Sequence, residues 1–265
     1  MKQIPNLFTL GNLFCGCIAI VYTIQNGLVP LYYNNAQALV PDVNELGTQY
    51  INIPEKIFYA SLFIGIAAVI DFFDGFLARL MGAASGMGKQ LDSLADVVSF
   101  GVAPGMIVYQ FLRLAYAQQA DGILVSSMYL LPAFIIPCAA AWRLARFNLD
   151  TSKTQNFKGV PVPAAGLFIA SFPLIYWTNE YSFITRLLIN PWFWYVIILI
   201  VSGLMISSLP MLALKFQDAN FKKFMPFIAI AATIVVTSIF VGWLSVPLSF
   251  LVYVLLSLLT LKKEK

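Results

Sequence analysis

The sequence predicts an all-α fold: a polytopic transmembrane helix bundle of about eight spans with both termini cytoplasmic. Three observations predict it. Sixty per cent of the residues are apolar and only 11% are charged, about half the charged share of an ordinary soluble domain. Apolar runs of about 20 residues, long enough to cross roughly 30 Å of hydrocarbon, recur along the whole length. Of the 16 lysines and arginines, 13 fall on one side of those runs and 3 on the other, and basic loops stay in the cytoplasm.

The runs place spans near 6–25, 56–80, 91–116, 123–147, 161–178, 190–210, 222–242 and 244–261. The first resembles a secretory leader because Lys2 precedes it. Pro5, Asn6, Thr9 and Asn12 interrupt the apolar region, however, and no small-x-small cleavage site follows, so this helix is expected to stay. The segment 27–55, with Asp42, Glu45 and Glu55, is expected outside. A short turn containing Gly82, Gly86 and Gly88 joins the second and third spans. The fourth ends in the basic stretch Arg143 to Asn148, and the loop 148–160 after it is expected in the cytoplasm, where it can close over a site. Gly242, Trp243 and Pro247 mark either a hairpin or a kink between the last two spans. With spans throughout, residues 1–265 read as a single integral membrane domain.

Cys15, Cys17 and Cys138 lie in apolar runs without the spacing of a zinc site or disulfide framework, and read as packing residues. The absence of histidine is more telling. It removes the usual general base, the phosphohistidine nucleophile and the commonest transition-metal ligand.

Four carboxylates, Asp71, Asp74, Asp92 and Asp96, stand in otherwise apolar sequence. Ionisable residues at such positions normally face a bundle interior and serve a function. Asp71 and Asp74 are three apart and Asp92 and Asp96 four apart, so each pair shares a helical face. Four converging anions repel unless cations neutralise them. All-oxygen ligands select a hard divalent metal, Mg²⁺ or Mn²⁺ with Ca²⁺ after them. Two ions bridged by carboxylates suit in-line attack at phosphorus. On spacing alone a cation-coupled transporter and structural ion pairs with Arg79 or Lys89 stay open.

From Asp71 the chain reads D-x2-D-G-x2-A-R-x8-G-x3-D-x3-D, with Asp71, Asp74, Gly75, Ala78, Arg79, Gly88, Asp92 and Asp96 in place. This resembles the signature of the CDP-alcohol phosphotransferases, membrane enzymes that join an alcohol to a phosphate carried on a cytidine nucleotide. Four further stretches, at residues 4–16, 99–105, 143–148 and 157–166, resemble the branch of that family that uses CDP-diacylglycerol and L-serine. Sister enzymes that take glycerol phosphate or inositol phosphate are the alternative.

The resemblance implies a catalytic signature at 71–96, with the helices from about 180 onward peripheral to the site. It implies metal held by Asp71, Asp74, Asp92 and Asp96, with Asp96 also the general base for the serine hydroxyl. Asn6, Thr9, Gly75, Ala78, Arg79 and Gly88 are the expected contacts to the nucleotide and CDP-lipid, and Arg143, Arg146, Asn148 and Lys158 the candidates for serine or phosphate. Asn6, Thr9 and Asn12 read equally as polar groups solvating a helix end, and Arg143 and Arg146 as interfacial anchors for anionic lipid. Membrane lipid and a second copy of the chain, in a homodimer of the inner membrane with its site facing the cytoplasm, are the expected partners, and no nucleic-acid polymer is expected.

Overall fold

The computed structural model describes residues 4–25, 27–31, 49–53, 56–82, 85–119, 125–149, 157–178, 182–211 and 237–261. Helix α1 (Ile4–Ile24) carries Pro5 in its first turn, where a missing N–H costs no intrahelical bond. Helix α2 (Ile57–Leu80) packs along α1 and ends at a turn where Gly82 takes φ +57°, a left-handed conformation that favours glycine. Helix α3 (Gly86–Asp96) starts at Ser85, whose hydroxyl accepts from Gly88 N at 2.9 Å.

Beyond Asp96 the chain widens into a π-helical segment (Val97–Val102) and continues as α4 (Ala103–Ala117), so that α3, this segment and α4 form one helical stretch of 32 residues, Gly86–Ala117. Two short 3₁₀ turns lead into α5 (Ile135–Leu149). After it come α6 (Val162–Thr178), α7 (Ser182–Leu188) and α8 (Pro191–Ile206). Helices α7 and α8 meet at 75°, and Asn190 Oδ1 accepts from Trp192 N at 2.9 Å to start the second. Helix α9 (Ser245–Leu261) lies on α6.

The π segment sits at the centre of the bundle, touching α1, α4, α5 and α6. Its neighbours approach too closely for larger residues. A Cβ on Gly16 would come within 2.8 Å of Ser99 Cα, and one on Gly166 within 2.9 Å of Phe100 Cα. The other end of the core is aromatic: Trp194 is fully buried, stacks on Phe111 at 4.7 Å, and donates its indole N–H to Leu188 O at 2.7 Å.

Among the described residues five helical stretches are long and apolar enough to cross a membrane, six if the bent α7–α8 pair is one span, and α6 is a shorter apolar helix. The protein is therefore an all-helical, membrane-embedded bundle. Most of the expected span 222–242 lies outside the described residues, as do 150–156 of the loop expected to close over the site. Two small antiparallel ribbons were not anticipated: β1 (Gly27–Leu31) with β2 (Gln49–Ile53), and β3 (Phe157–Lys158) with β4 (Pro210–Met211). The second is two residues long on each side, too short for an alternating pattern to be legible.

Candidate active site

The turn between α2 and α3 folds the two aspartate pairs onto one another. Asp71, Asp74 and Asp92 each present a carboxylate oxygen, and these three atoms lie within 4.8 Å of one another. Asp74 is buried and accepts a hydrogen bond from Thr9 Oγ1 at 2.8 Å. Helix α1 is therefore a wall of the site, tied to α2 across 65 residues of sequence.

Asp96 stands outside that trio and, like Asp74, is buried. Its carboxyl meets that of Asp71 and accepts from Asn12 Nδ2 at 3.4 Å. Asn12 is fully buried, and its own Oδ1 has no hydrogen-bond partner among the described residues. Ser99 Oγ donates to Asn12 O at 3.0 Å, which anchors the π segment to α1 immediately after Asp96. An irregular turn following a buried acid is a recurrent feature of functional sites.

Beside the trio opens a cleft lined by Pro5, Asn6, Thr9, Asp74, Gly75, Ala78, Ser85, Gly88, Lys89 and Asp92. Five of the residues expected to meet a nucleotide, Asn6, Thr9, Gly75, Ala78 and Gly88, are thus brought to one wall. A Cβ on Gly75 would meet nothing within 4 Å, so its hydrogen faces open space rather than a neighbouring helix. The side chain of Arg79 lies outside the described set. The cleft also contains residues that the sequence reading passed over: Ser85, which caps α3, and Lys89, considered only as an ion-pair partner of the aspartates. Lys89 Nζ instead donates to Asn148 O at 3.3 Å. A serine ahead of a glycine-rich helix start was the legible signal for Ser85.

The basic candidates separate. Arg146 is committed to backbone: Nη1 donates to Ile206 O at 2.7 Å, and Nη2 to Ser207 O at 2.8 Å with Lys158 O at 3.4 Å. It closes the carbonyl end of α8 and holds the β3 strand. Arg143 is 5% exposed and its Nη2 donates to Gly159 O at 3.5 Å, while its Nε has no hydrogen-bond partner among the described residues. Its guanidinium interacts electrostatically with Asp96 and with Tyr253 of α9. Asn148 Nδ2 donates to Ser93 Oγ at 2.8 Å, joining α5 to α3, while Lys158 is exposed.

This donor set fits a hard divalent cation. Three carboxylate oxygens converge within reach of one ion, with no sulfur or imidazole among them. Charges so close and largely removed from water repel one another unless a cation offsets them.

The profile of the CDP-alcohol phosphatidyltransferase family matches residues 2–192, and the chain belongs to that family. It is 33% identical over 182 residues to a CDP-diacylglycerol–serine O-phosphatidyltransferase of Bacillus subtilis, an alignment spanning 66% of this chain and 78% of the relative. A Helicobacter pylori protein of the same name is 30% identical over 182 residues, 68% of this chain and 60% of its own length. An archaetidylserine synthase of Methanothermobacter thermautotrophicus is 36% identical over 152 residues, 57% of this chain and 56% of that protein. The chain thus spans about three-fifths of the length of the second and third of these relatives.

Proposed function

We propose that the protein is a phosphatidylserine synthase, transferring the phosphatidyl group of CDP-diacylglycerol to the hydroxyl of L-serine with release of CMP. The observation that carries the acceptor is the buried Arg143 guanidinium within electrostatic range of Asp96, with an Nε that has no hydrogen-bond partner among the described residues. A buried cationic donor without a partner is costly, and a carboxylate next to a general base is the group that serine would place there. The names of the relatives support the same acceptor.

In this reading Asp71, Asp74 and Asp92, with Asp96 at their edge, hold one or two ions, Mg²⁺ or Mn²⁺ with Ca²⁺ as a weaker fit. The metal, when bound, supplies positive charge against the diphosphate. The cleft wall of Asn6, Thr9, Gly75, Ala78 and Gly88 receives the cytidine nucleotide. Arg143 pairs with the serine carboxylate. Asp96 takes the proton of the serine hydroxyl as its oxygen bonds to the phosphatidyl phosphorus. The bond from that phosphorus to the bridging oxygen breaks, and CMP leaves with the electron pair. Asn12 orients Asp96 through the amide it donates. No covalent enzyme intermediate is needed, so configuration at phosphorus inverts. The site faces the cytoplasm of the inner membrane, in keeping with the 13 to 3 basic asymmetry, and the chain works as a homodimer, as the family resemblance implies.

The test is incubation of membranes containing the protein with Mg²⁺ or Mn²⁺, CDP-diacylglycerol and labelled serine. Labelled phosphatidylserine and stoichiometric CMP are expected. Product with glycerol phosphate or inositol phosphate but not serine would overturn the acceptor assignment. Net retention with a chiral thiophosphate donor would overturn the single displacement.

A further inference from the structure

The cleft contains a cation outside the signature positions. Lys89 precedes Asp92 by three residues on α3, leaves the same helical side and lines the cleft with Asn6, Ser85 and Gly88. A lysine on an exposed helix face ordinarily extends into solvent, and fixing it costs rotamer entropy. Here it is anchored twice. Nζ donates to Asn148 O at 3.3 Å and lies 5.5 Å from the centroid of the Phe147 ring.

One of the last carbonyls of α5 is a natural resting place for an ammonium, and capping alone would explain that bond. Capping does not explain why the same side chain forms cleft wall beside Asp92. Four residues along α3, Ser93 Oγ accepts from Asn148 Nδ2 at 2.8 Å. Lys89 and Ser93 therefore form a two-point latch between α3 and the end of α5. An ammonium has three donors. With one spent on Asn148 O, two remain to be aimed at what enters the cleft. A diphosphate arriving beside Asp74 and Asp92 brings negative charge toward negative charge, and a fixed ammonium in the wall offsets part of that repulsion.

We propose that Lys89 is a diphosphate-binding residue of the donor cleft, held in place by the Asn148 carbonyl at the end of α5. The proposal rests on the donor half of the function above and is independent of which alcohol is the acceptor.

The experiment measures cytidine 5′-diphosphate binding to purified protein in detergent with Mn²⁺, alongside the KM values of CDP-diacylglycerol and serine, for wild type, Lys89→Met and Lys89→Arg. Loss of a charge-assisted contact is expected to weaken CDP binding and raise the donor KM about tenfold in Lys89→Met. Serine KM should stay within about twofold, and Lys89→Arg should recover most of the affinity. Unchanged CDP affinity in Lys89→Met would overturn the proposal. A raised serine KM with unchanged CDP affinity would do so as well, placing Lys89 on the acceptor side through Asn148. Wild-type protein that binds CDP without forming phosphatidylserine would sink the acceptor assignment and leave this one standing.

Discussion

The four aspartates differ in what surrounds them, and the proposed division of roles follows that difference. Asp71, Asp74 and Asp92 share a space one ion can fill, whereas Asp96 lies outside that trio, against Asn12 and Asp71 and within electrostatic range of Arg143. Asp96→Asn should lower kcat by about 10²- to 10⁴-fold, the usual worth of a general base, with CDP binding largely retained. Asp71→Asn should lose both, and equilibrium binding of labelled CDP with Mn²⁺ separates the two outcomes. Equal loss of binding in both variants would remove the distinction. The arginines form the second such pair. Arg143→Lys should raise serine KM because a lysine cannot present the forked donors that hold a carboxylate. Arg146→Lys should leave serine KM near wild type and lower the melting temperature in detergent, since the contacts it loses are backbone carbonyls of residues 158, 206 and 207. The aspartates were legible in the sequence because charges in an apolar run stand out and their spacing assigns faces. Arg143 and Arg146 were not separable there, because three-residue spacing puts both on one face and only their tertiary contacts distinguish them.

At the scale of elements, α1 packs against both α2 and α3 at the site, and Asn12 of α1 is tied to the π segment through Ser99. Gly166 and Gly75 have opposite surroundings, which gives a paired test. Gly166→Ala would push a methyl to within 2.9 Å of Phe100 Cα, an overpacking cost of about 1–3 kcal/mol expected as a lower melting temperature. Gly75→Ala meets no atom within 4 Å, so the melting temperature should hold while the methyl intrudes into the cleft and weakens CDP binding. Thermal melts and CDP titrations on both variants check the pair, and a destabilised Gly75→Ala would contradict the open face. Thr9→Val removes the hydroxyl that steadies Asp74 and is expected to reduce Mn²⁺ affinity by about 10- to 100-fold, as loss of a supporting hydrogen bond to a metal ligand does. Apolar runs marked most of these helices to within a few residues. The π segment had no such mark, because its sequence is as apolar as the α-helices on either side of it.

For the whole molecule, the proposed ion among the aspartates would make folding and cation binding one equilibrium. An ion that binds only the folded state at a hundredfold its Kd adds about 2.7 kcal/mol of stability. Mn²⁺ or Mg²⁺ should therefore raise the detergent melting temperature of the wild type, and EDTA should reverse the gain. Asp92→Asn should show little of either effect, and an equal shift in that variant would mean that the ions act elsewhere. Orientation is tested by single cysteines in a variant in which Cys15, Cys17 and Cys138 are replaced. Labelling of position 42 but not position 153 by an impermeant reagent applied outside is the expected outcome.

What the sequence by itself determined follows from composition and short-range spacing. Membrane embedding, helical class, the aspartate faces and the likeness to a family all depend on residues a few positions apart, where helical geometry is known in advance. What only the tertiary structure decided are contacts between residues far apart in the chain. These include Thr9 against Asp74, Asn12 against Asp96, Lys89 against the end of α5, and an Arg143 whose Nε has no partner among the described residues while Arg146 donates to three carbonyls. The physical reason is that a helix fixes which side a residue leaves from. Which neighbour lies there depends on how the helices pack, and no local pattern encodes that.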